Sequence, residues 1–318
     1  MNKVVLSVVA ALAVSVAAPA FAADMPVKAV KAPAAAPSPW DVAFGAAVMN
    51  DYVFRGITQS NHKVSGAAYI EPRYNINPNL QLYVGTAVET IKFPNDAKAE
   101  VDFYGGIRPT FGQLALDLGA WYYWYPSGTC YNTAVVGCQP SLANGNVIKS
   151  NLSFWEFYFK PTWNVNDSLA IGGNLFYTPS FLNSGAPGTY VSGTVKFTAP
   201  EKMAIGPLGW YVSGEFGRQY LGTSDSFYGV VGFPNGIDYA DYNTWNIGVG
   251  FTWKQATLDL RYSDTDLSKG NCNAFTSDPG ASGVASTPIN PGGPGSNWCS
   301  AAFVAKLSID FTASALLK

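Results

Sequence analysis

Charged side chains in this sequence recur at every second position. Glu71 precedes Arg73, Glu100 precedes Asp102, and Arg108, Asp117, Glu156 and Lys160 continue the pattern in later segments. Acids and bases at that spacing share one face of an extended chain. Such a face does no covalent chemistry by itself, but it builds a field for passing ions or a lattice of ion pairs. The residue set that suits nucleophilic catalysis is thin. His62 is the one histidine, beside Gln59, Ser60 and Asn61. A Ser, His and Asn trio keeps an outer-membrane lipid hydrolase in view as an enzyme reading. No Gly-x-Ser-x-Gly elbow accompanies it, and the chain is expected not to be an enzyme. Glycine pairs such as Gly105-Gly106 lack the Lys-Ser/Thr of a phosphate loop, so no cofactor is expected.

Four cysteines complete the candidate chemistry: Cys130, Cys138, Cys272 and Cys299. No Cys-x-x-Cys or histidine cluster supports zinc, and no metal site is expected. Export to an oxidising compartment favours disulfides. Local pairing of Cys130 with Cys138 and of Cys272 with Cys299 closes one loop each; a link between the two loops is the rival.

The elements that carry these residues are strands. In EVDFYGGIRPTF, residues 100 to 111, Val101, Phe103, Gly105, Ile107 and Phe111 share one face, and Glu100, Asp102, Tyr104 and Arg108 the other. About twelve such segments follow along the chain, spanning roughly 40–54, 66–76, 79–91, 99–111, 114–126, 152–164, 168–180, 188–199, 208–220, 241–253, 256–266 and 299–311. Their lengths exceed the five or six residues usual in soluble sheets and match the roughly nine to eleven of a tilted bilayer-crossing strand. Short connections such as 111–113 and 254–255 alternate with long ones such as 126–151, 221–240 and 267–298. Even strand number, short turns on one side and long loops on the other predict a closed antiparallel transmembrane β-barrel, all-β, with both chain ends periplasmic.

Composition agrees. Charged residues make up 13% of the chain, about half the usual share, while apolar residues stand at 48%. A barrel turns its apolar face to outer-membrane lipid and its polar face to a wet interior. By phase the interior collects Arg55, Glu71, Arg73, Glu89, Glu100, Asp102, Arg108, Asp117, Glu156, Lys160, Lys196, Glu215, Asp259 and Arg261. In GAWYYWYPSGTC, residues 119 to 130, Tyr122 and Trp124 point outward to an aromatic girdle, whereas Trp121, Tyr123 and Tyr125 look inward with Asp117.

The ends of the sequence carry a different signal. Met1-Asn2-Lys3, an apolar run over residues 4–18 and Ala20-Phe21-Ala22 have the layout of a secretory signal peptide over residues 1–22, implying Sec-type export. Residues 23–39 form a Pro/Ala-rich periplasmic tail, and the barrel takes residues 40–318. A net charge of −2 gives no reason to expect nucleic acid as a partner.

Residues 51–60, DYVFRGITQS, resemble the D-Y-x-F-R-G-x-[ST]-Q-[ST] motif that closes the first strand in the TorF-like outer-membrane porin family of proteobacteria. EVDFYGGIR, LDLGAWYYWYP and WEFYFK resemble further segments of that family, all in the first half of the mature chain. The cysteine-bearing loops are longer than the family pattern, and Phe311 is followed by TASALLK where many barrels end on an aromatic. The resemblance implies a β-barrel in the Gram-negative outer membrane and passive transport.

The expectation is therefore a porin or narrow diffusion channel for small hydrophilic solutes. Its pore would be lined by Arg55, Glu71, Arg73, Glu100, Asp102, Arg108, Asp117, Trp121, Tyr123, Tyr125, Glu156 and Lys160. Two alternatives stay open: the same charges forming a lattice that fills the lumen, and a non-conducting barrel whose stapled loops bind a partner. A homo-oligomer is open by analogy with porins.

Overall fold

The computed structural model describes residues 39–316. The signal and tail readings, over residues 1–22 and 23–39, lie outside the described residues apart from Pro39. Twelve strands close into one antiparallel barrel. They are β1 (Trp40–Met49), β4 (Ser65–Asn77), β5 (Leu80–Glu89), β6 (Glu100–Phe111), β7 (Leu114–Trp124), β8 (Phe154–Asn164), β9 (Leu169–Thr178), β10 (Gly188–Thr198), β11 (Gly209–Leu221), β12 (Tyr242–Trp253), β13 (Ala256–Thr265) and β14 (Ala302–Thr312). Each pairs with its neighbour in sequence order, and β1 meets β14 with Phe44 opposite Phe311 to complete the ring. Two further short strands, β2 (Val53–Phe54) and β3 (Ile57–Thr58), pair only with each other.

Every wall strand alternates as its sequence dictates. Along β8, Phe154, Glu156 and Tyr158 are buried inside, while Trp155, Phe157 and Phe159 are exposed outside. The mid-strand exterior is aliphatic, with Val84, Ile171, Val195 and Ile247 exposed, and aromatic residues crowd both ends: Trp40, Phe111 and Trp253 below, Trp124, Trp155 and Phe303 above. That is the apolar band and double girdle of a bilayer-spanning barrel. No described helix is long and apolar enough to cross a membrane. Both disulfides are the local ones, Cys130–Cys138 and Cys272–Cys299.

One expectation is corrected. The first strand does not run on to residue 54. Asn50 ends it: its backbone N–H donates to Ala305 O at 3.3 Å, its Nδ2 to Phe303 O at 2.9 Å, and its Oδ1 accepts from Ala305 N at 2.6 Å. One side chain thus completes the ladder with β14, and the chain turns inward at Asp51. The long loop 267–298 carries one element of its own. Ser268 accepts from Asn271 N at 3.3 Å and starts a two-turn helix over Lys269–Thr276 that carries Cys272. Beyond Phe311, a short helix over Ala313–Leu316 docks its Ser314 N–H on Asp41 Oδ1 at 2.9 Å.

Ile247 sits halfway along β12 and is 59% exposed. If that face meets lipid, Ile247→Arg lowers the unfolding free energy in vesicles by about 2–4 kcal/mol. A loss below about 0.5 kcal/mol in a urea titration, the size expected of an ordinary solvent-facing site, contradicts the orientation.

Candidate functional site: the barrel interior and its inward hairpin

The DYVFRGITQS segment leaves the wall and folds into the lumen as a hairpin. Phe54 pairs with Ile57 and Val53 with Thr58, so Arg55 and Gly56 form a two-residue turn. Both have positive φ, 47° and 79°, the conformation of a type I′ turn. Gly56 is also required by space, because a Cβ there would lie 2.2 Å from Thr265 Cγ2 and 2.6 Å from Thr244 Oγ1. The stem is fixed on both sides. Tyr52 O accepts from Gln59 N at 2.7 Å, Thr58 N donates to Trp298 O at 3.0 Å, and Tyr52 OH donates to Glu100 at 2.6 Å.

The tip carries Arg55 across the lumen to the far wall. Its guanidinium donates to both oxygens of Glu156, at 2.9 and 2.8 Å, and to Gln219 Oε1 at 3.1 Å. The Phe54, Tyr190 and Phe176 rings lie 4.5, 4.6 and 4.8 Å from it. This is a planar cation held bidentately among aromatic rings, a use that suits arginine and not lysine. Both side chains are almost fully buried, 5% and 1% exposed.

Below the hairpin lies a lattice of ion pairs. Glu71 receives Arg73 Nε at 2.6 Å and Arg108 through two bonds at 2.8 and 3.1 Å. Arg108 reaches on to Asp117 at 3.2 Å, and Lys160 approaches the same carboxylate at 3.6 Å. Tyr83 OH bonds Asp117 and Tyr158 OH. On the opposite wall Arg261 contacts Asp259, Asn246 and Ser213, and Tyr211 donates to Asp259 at 2.6 Å.

All twelve pore candidates face the interior. Arg55 arrives there on the hairpin and not on strand β1. The charged members Arg55, Arg73, Arg108, Lys160, Glu71, Asp117 and Glu156 are paired with one another. Trp121 and Tyr123 form a buried stack with Tyr104 and Phe154, Tyr125 stacks separately on Phe93, and Tyr123 and Tyr125 donate to Glu156 and Glu100. Sequence reasoning missed Lys306 and Asp310, which share the inward phase of β14 with Ser308, and Gln219 at the hairpin tip. It also passed over the hairpin, whose Arg-Gly turn lacks the Asn or Asp that usually marks a turn of this type.

The remaining space is unevenly distributed. Along β8 to β11 the lower interior carries small groups, Thr162, Ala170, Gly172, Thr194 and Ser213, around a cavity of about 30 Å³ flanked by Lys160 and Lys196. Above the hairpin an aromatic chamber of about 60 Å³ is lined by Phe54, Tyr125, Phe154, Phe181, Tyr242 and Phe275, among others. It has room for a few waters. Three long loops close over it. Asn146 bonds Asn273 at 2.7 Å, Ser277 bonds Val147 O at 2.7 Å, and Lys149 pairs with Asp225.

A family model described as a bacterial protein of unknown function, Gcw_chp, matches residues 33–287. The chain belongs to that family. Among solved structures, this Gcw_chp barrel is similar to the KdgM porin, at 8% identity and a TM-score of 0.43 over 85% of this chain and 99% of that one. It is similar also to the NanC porin, at 8% identity and a TM-score of 0.39 over 86% and 98%. A third likeness is to the in-vitro folded trimer form of OmpT, an outer membrane protein of Vibrio cholerae, at 11% and 0.36 over 86% and 98%. No curated protein matches this sequence.

The Ser, His and Asn trio of this Gcw_chp chain does not assemble as a nucleophile and base. His62 Nδ1 lies 2.8 Å from Asp51 Oδ2, but the one proton of Ser60 Oγ has Lys63 O at 2.7 Å and Asp51 Oδ1 at 3.0 Å as its acceptors, while His62 Nε2 faces Asn297 O at 3.2 Å. The contact with Asp51 raises the imidazole above its ordinary value of 6.5. A raised folded value means that this contact stabilises the loop fully below that ordinary value and is lost as pH climbs through the raised one. As the sole histidine, His62 gives one NMR titration curve. Its midpoint is expected above 6.5 and to fall in Asp51→Asn; an unchanged midpoint in that variant contradicts the pairing.

Proposed function

We propose that this protein is an outer-membrane diffusion channel for small hydrophilic solutes, described here in a closed conformation whose gate is the hairpin over residues 51–62. The observation that carries this is the hairpin's attachment. It is a segment separate from the wall, held at its tip by one guanidinium on Glu156 and Gln219 and at its stem by hydroxyl and backbone bonds. Beneath it Thr162, Ala170, Gly172, Thr194 and Ser213 leave a lower cavity flanked by Lys160 and Lys196, and the hairpin stands between that cavity and the aromatic chamber above. A ring of twelve strands lies between the eight that enclose little beyond side chains and the sixteen of a wide channel.

Support for location and class comes also from the sequence. The resemblance of DYVFRGITQS to the TorF-like porins falls on the gating segment itself, and the Sec-type signal suits export to the outer membrane. Lipid then contacts the aliphatic band, transport follows the solute's own gradient, and the paired acids and bases in the lower lattice set selectivity once the passage opens. The protein acts without catalysis in this reading, in keeping with Ser60 being bonded away from His62. The interlocked, disulfide-stapled outer loops favour a second reading, a non-conducting barrel that binds a partner at its surface.

Planar-bilayer recording separates the two. Wild-type protein is expected to show rare or small discrete steps. Arg55→Ala/Glu156→Gln and a variant with residues 52–60 replaced by a Gly-Ser linker are expected to open more often and more widely. Silence of both variants, each verified as a folded barrel by its gel mobility before and after heating, contradicts the channel and leaves the surface-binding reading.

A further inference from the structure

The outer third of the interior is acidic in a way the rest is not. Glu89 closes β5 and lies directly opposite Glu100, which opens β6, and Asp102 follows on the same face. One carboxylate oxygen from each lies within 4.8 Å of the other two. All three side chains are about 2% exposed. Like charges directly opposed on neighbouring strands repel, and burial removes the water that would screen them.

Elsewhere in the barrel each such acid meets a cation or donor. Glu156 holds Arg55, Glu71 holds Arg73 and Arg108, and Asp259 holds Arg261. Glu100 is partly answered, since Tyr52 and Tyr125 donate to it at 2.6 and 2.8 Å. The other two are not: Glu89 Oε2 and Asp102 Oδ1 are buried with no hydrogen-bond partner. A buried carboxylate oxygen in that state needs a cation or a proton.

We propose that Glu89, Glu100 and Asp102 bind a calcium ion inside the outer third of the barrel. The ligand set is oxygen alone, which suits a hard cation and not zinc. Two oxygens bound to one calcium at about 2.3–2.6 Å sit at most about 5.2 Å apart, so a spread of up to 4.8 Å fits without moving the strands. Magnesium keeps several of its waters, for which this packed interior has little room. Calcium also accepts both one-oxygen and two-oxygen carboxylates, which lets Glu100 keep its tyrosine donors while Glu89 and Asp102 turn their free oxygens to the ion. Because Glu100 anchors Tyr52, the ion fastens the hairpin stem. The sequence gives no metal-ligand spacing because the three ligands come from facing ends of two strands, eleven residues apart at Glu89 and Glu100. This site does not depend on whether the barrel conducts.

Terbium is the probe, as a luminescent substitute for calcium. Tyr123 lies opposite Asp102 in register, with Trp121 stacked 5.9 Å from it, close enough to sensitise emission. Purified folded wild-type protein is expected to give aromatic-sensitised terbium emission that calcium displaces. Glu89→Gln and Asp102→Asn, each of which removes repulsion and so preserves folding, are expected to weaken terbium binding by roughly tenfold or more; Glu201→Gln, on an exposed turn at the opposite end, leaves it unchanged. Absence of sensitised emission from folded wild type, or equal emission from both cluster variants, overturns the site. So does an infrared protonated-carboxyl band, lost in Glu89→Gln or Asp102→Asn, that calcium fails to remove from wild type, which would show the acids sharing protons instead.

Discussion

The ion pair between Arg55 and Glu156 is the contact on which the interior arrangement rests. It is the point where a segment that belongs to no wall strand is tied to the wall across the lumen. Two buried charges are expensive to remove from water, and the pair is stable there only because its geometry is bidentate and its remaining donors and faces are taken up by Gln219, Phe54, Phe176 and Tyr190. Arg55 must adopt a left-handed backbone to reach this position, a strained state for a residue with a side chain, and the surrounding contacts hold it there.

That single tie organises the layers above and below it. Above, the hairpin supplies Phe54 and Ile57 to the aromatic chamber over which the stapled loops pack. Below, the acids and bases of β4, β6, β7 and β8 pair with one another, so the lower interior is nearly self-neutralising. The wall itself needs none of this: its exterior is an apolar band and its backbone bonds are satisfied by closure.

Much of this was legible in the sequence, and the reason is periodicity. Alternation over ten or more residues placed twelve strands close to their observed limits, and the same phase set Glu71, Arg73, Glu100, Asp102, Asp117 and Glu156 on the interior. What phase does not encode is where a strand stops. Asn50 ends β1 through side-chain bonds to a strand some 250 residues away, and no local signal distinguishes it from a residue inside the strand. Which acid meets which base is equally non-local: Glu71 chooses Arg108 from two strands away, and Arg55 chooses Glu156 across the lumen. The cysteine pairing was legible because each bridge closes a single loop, but the hydrogen bonds that lock those loops together were not.

The most direct test of the hairpin's position is a double-mutant cycle on barrel unfolding with Arg55→Ala, Glu156→Ala and the two combined. If the tip lies in the lumen against Glu156, each single change leaves a lone buried charge and costs about 3–5 kcal/mol, while the double variant is far less destabilised than their sum. Additive losses within about 0.5 kcal/mol would mean that the two residues do not meet, and that the hairpin is not tied across the barrel.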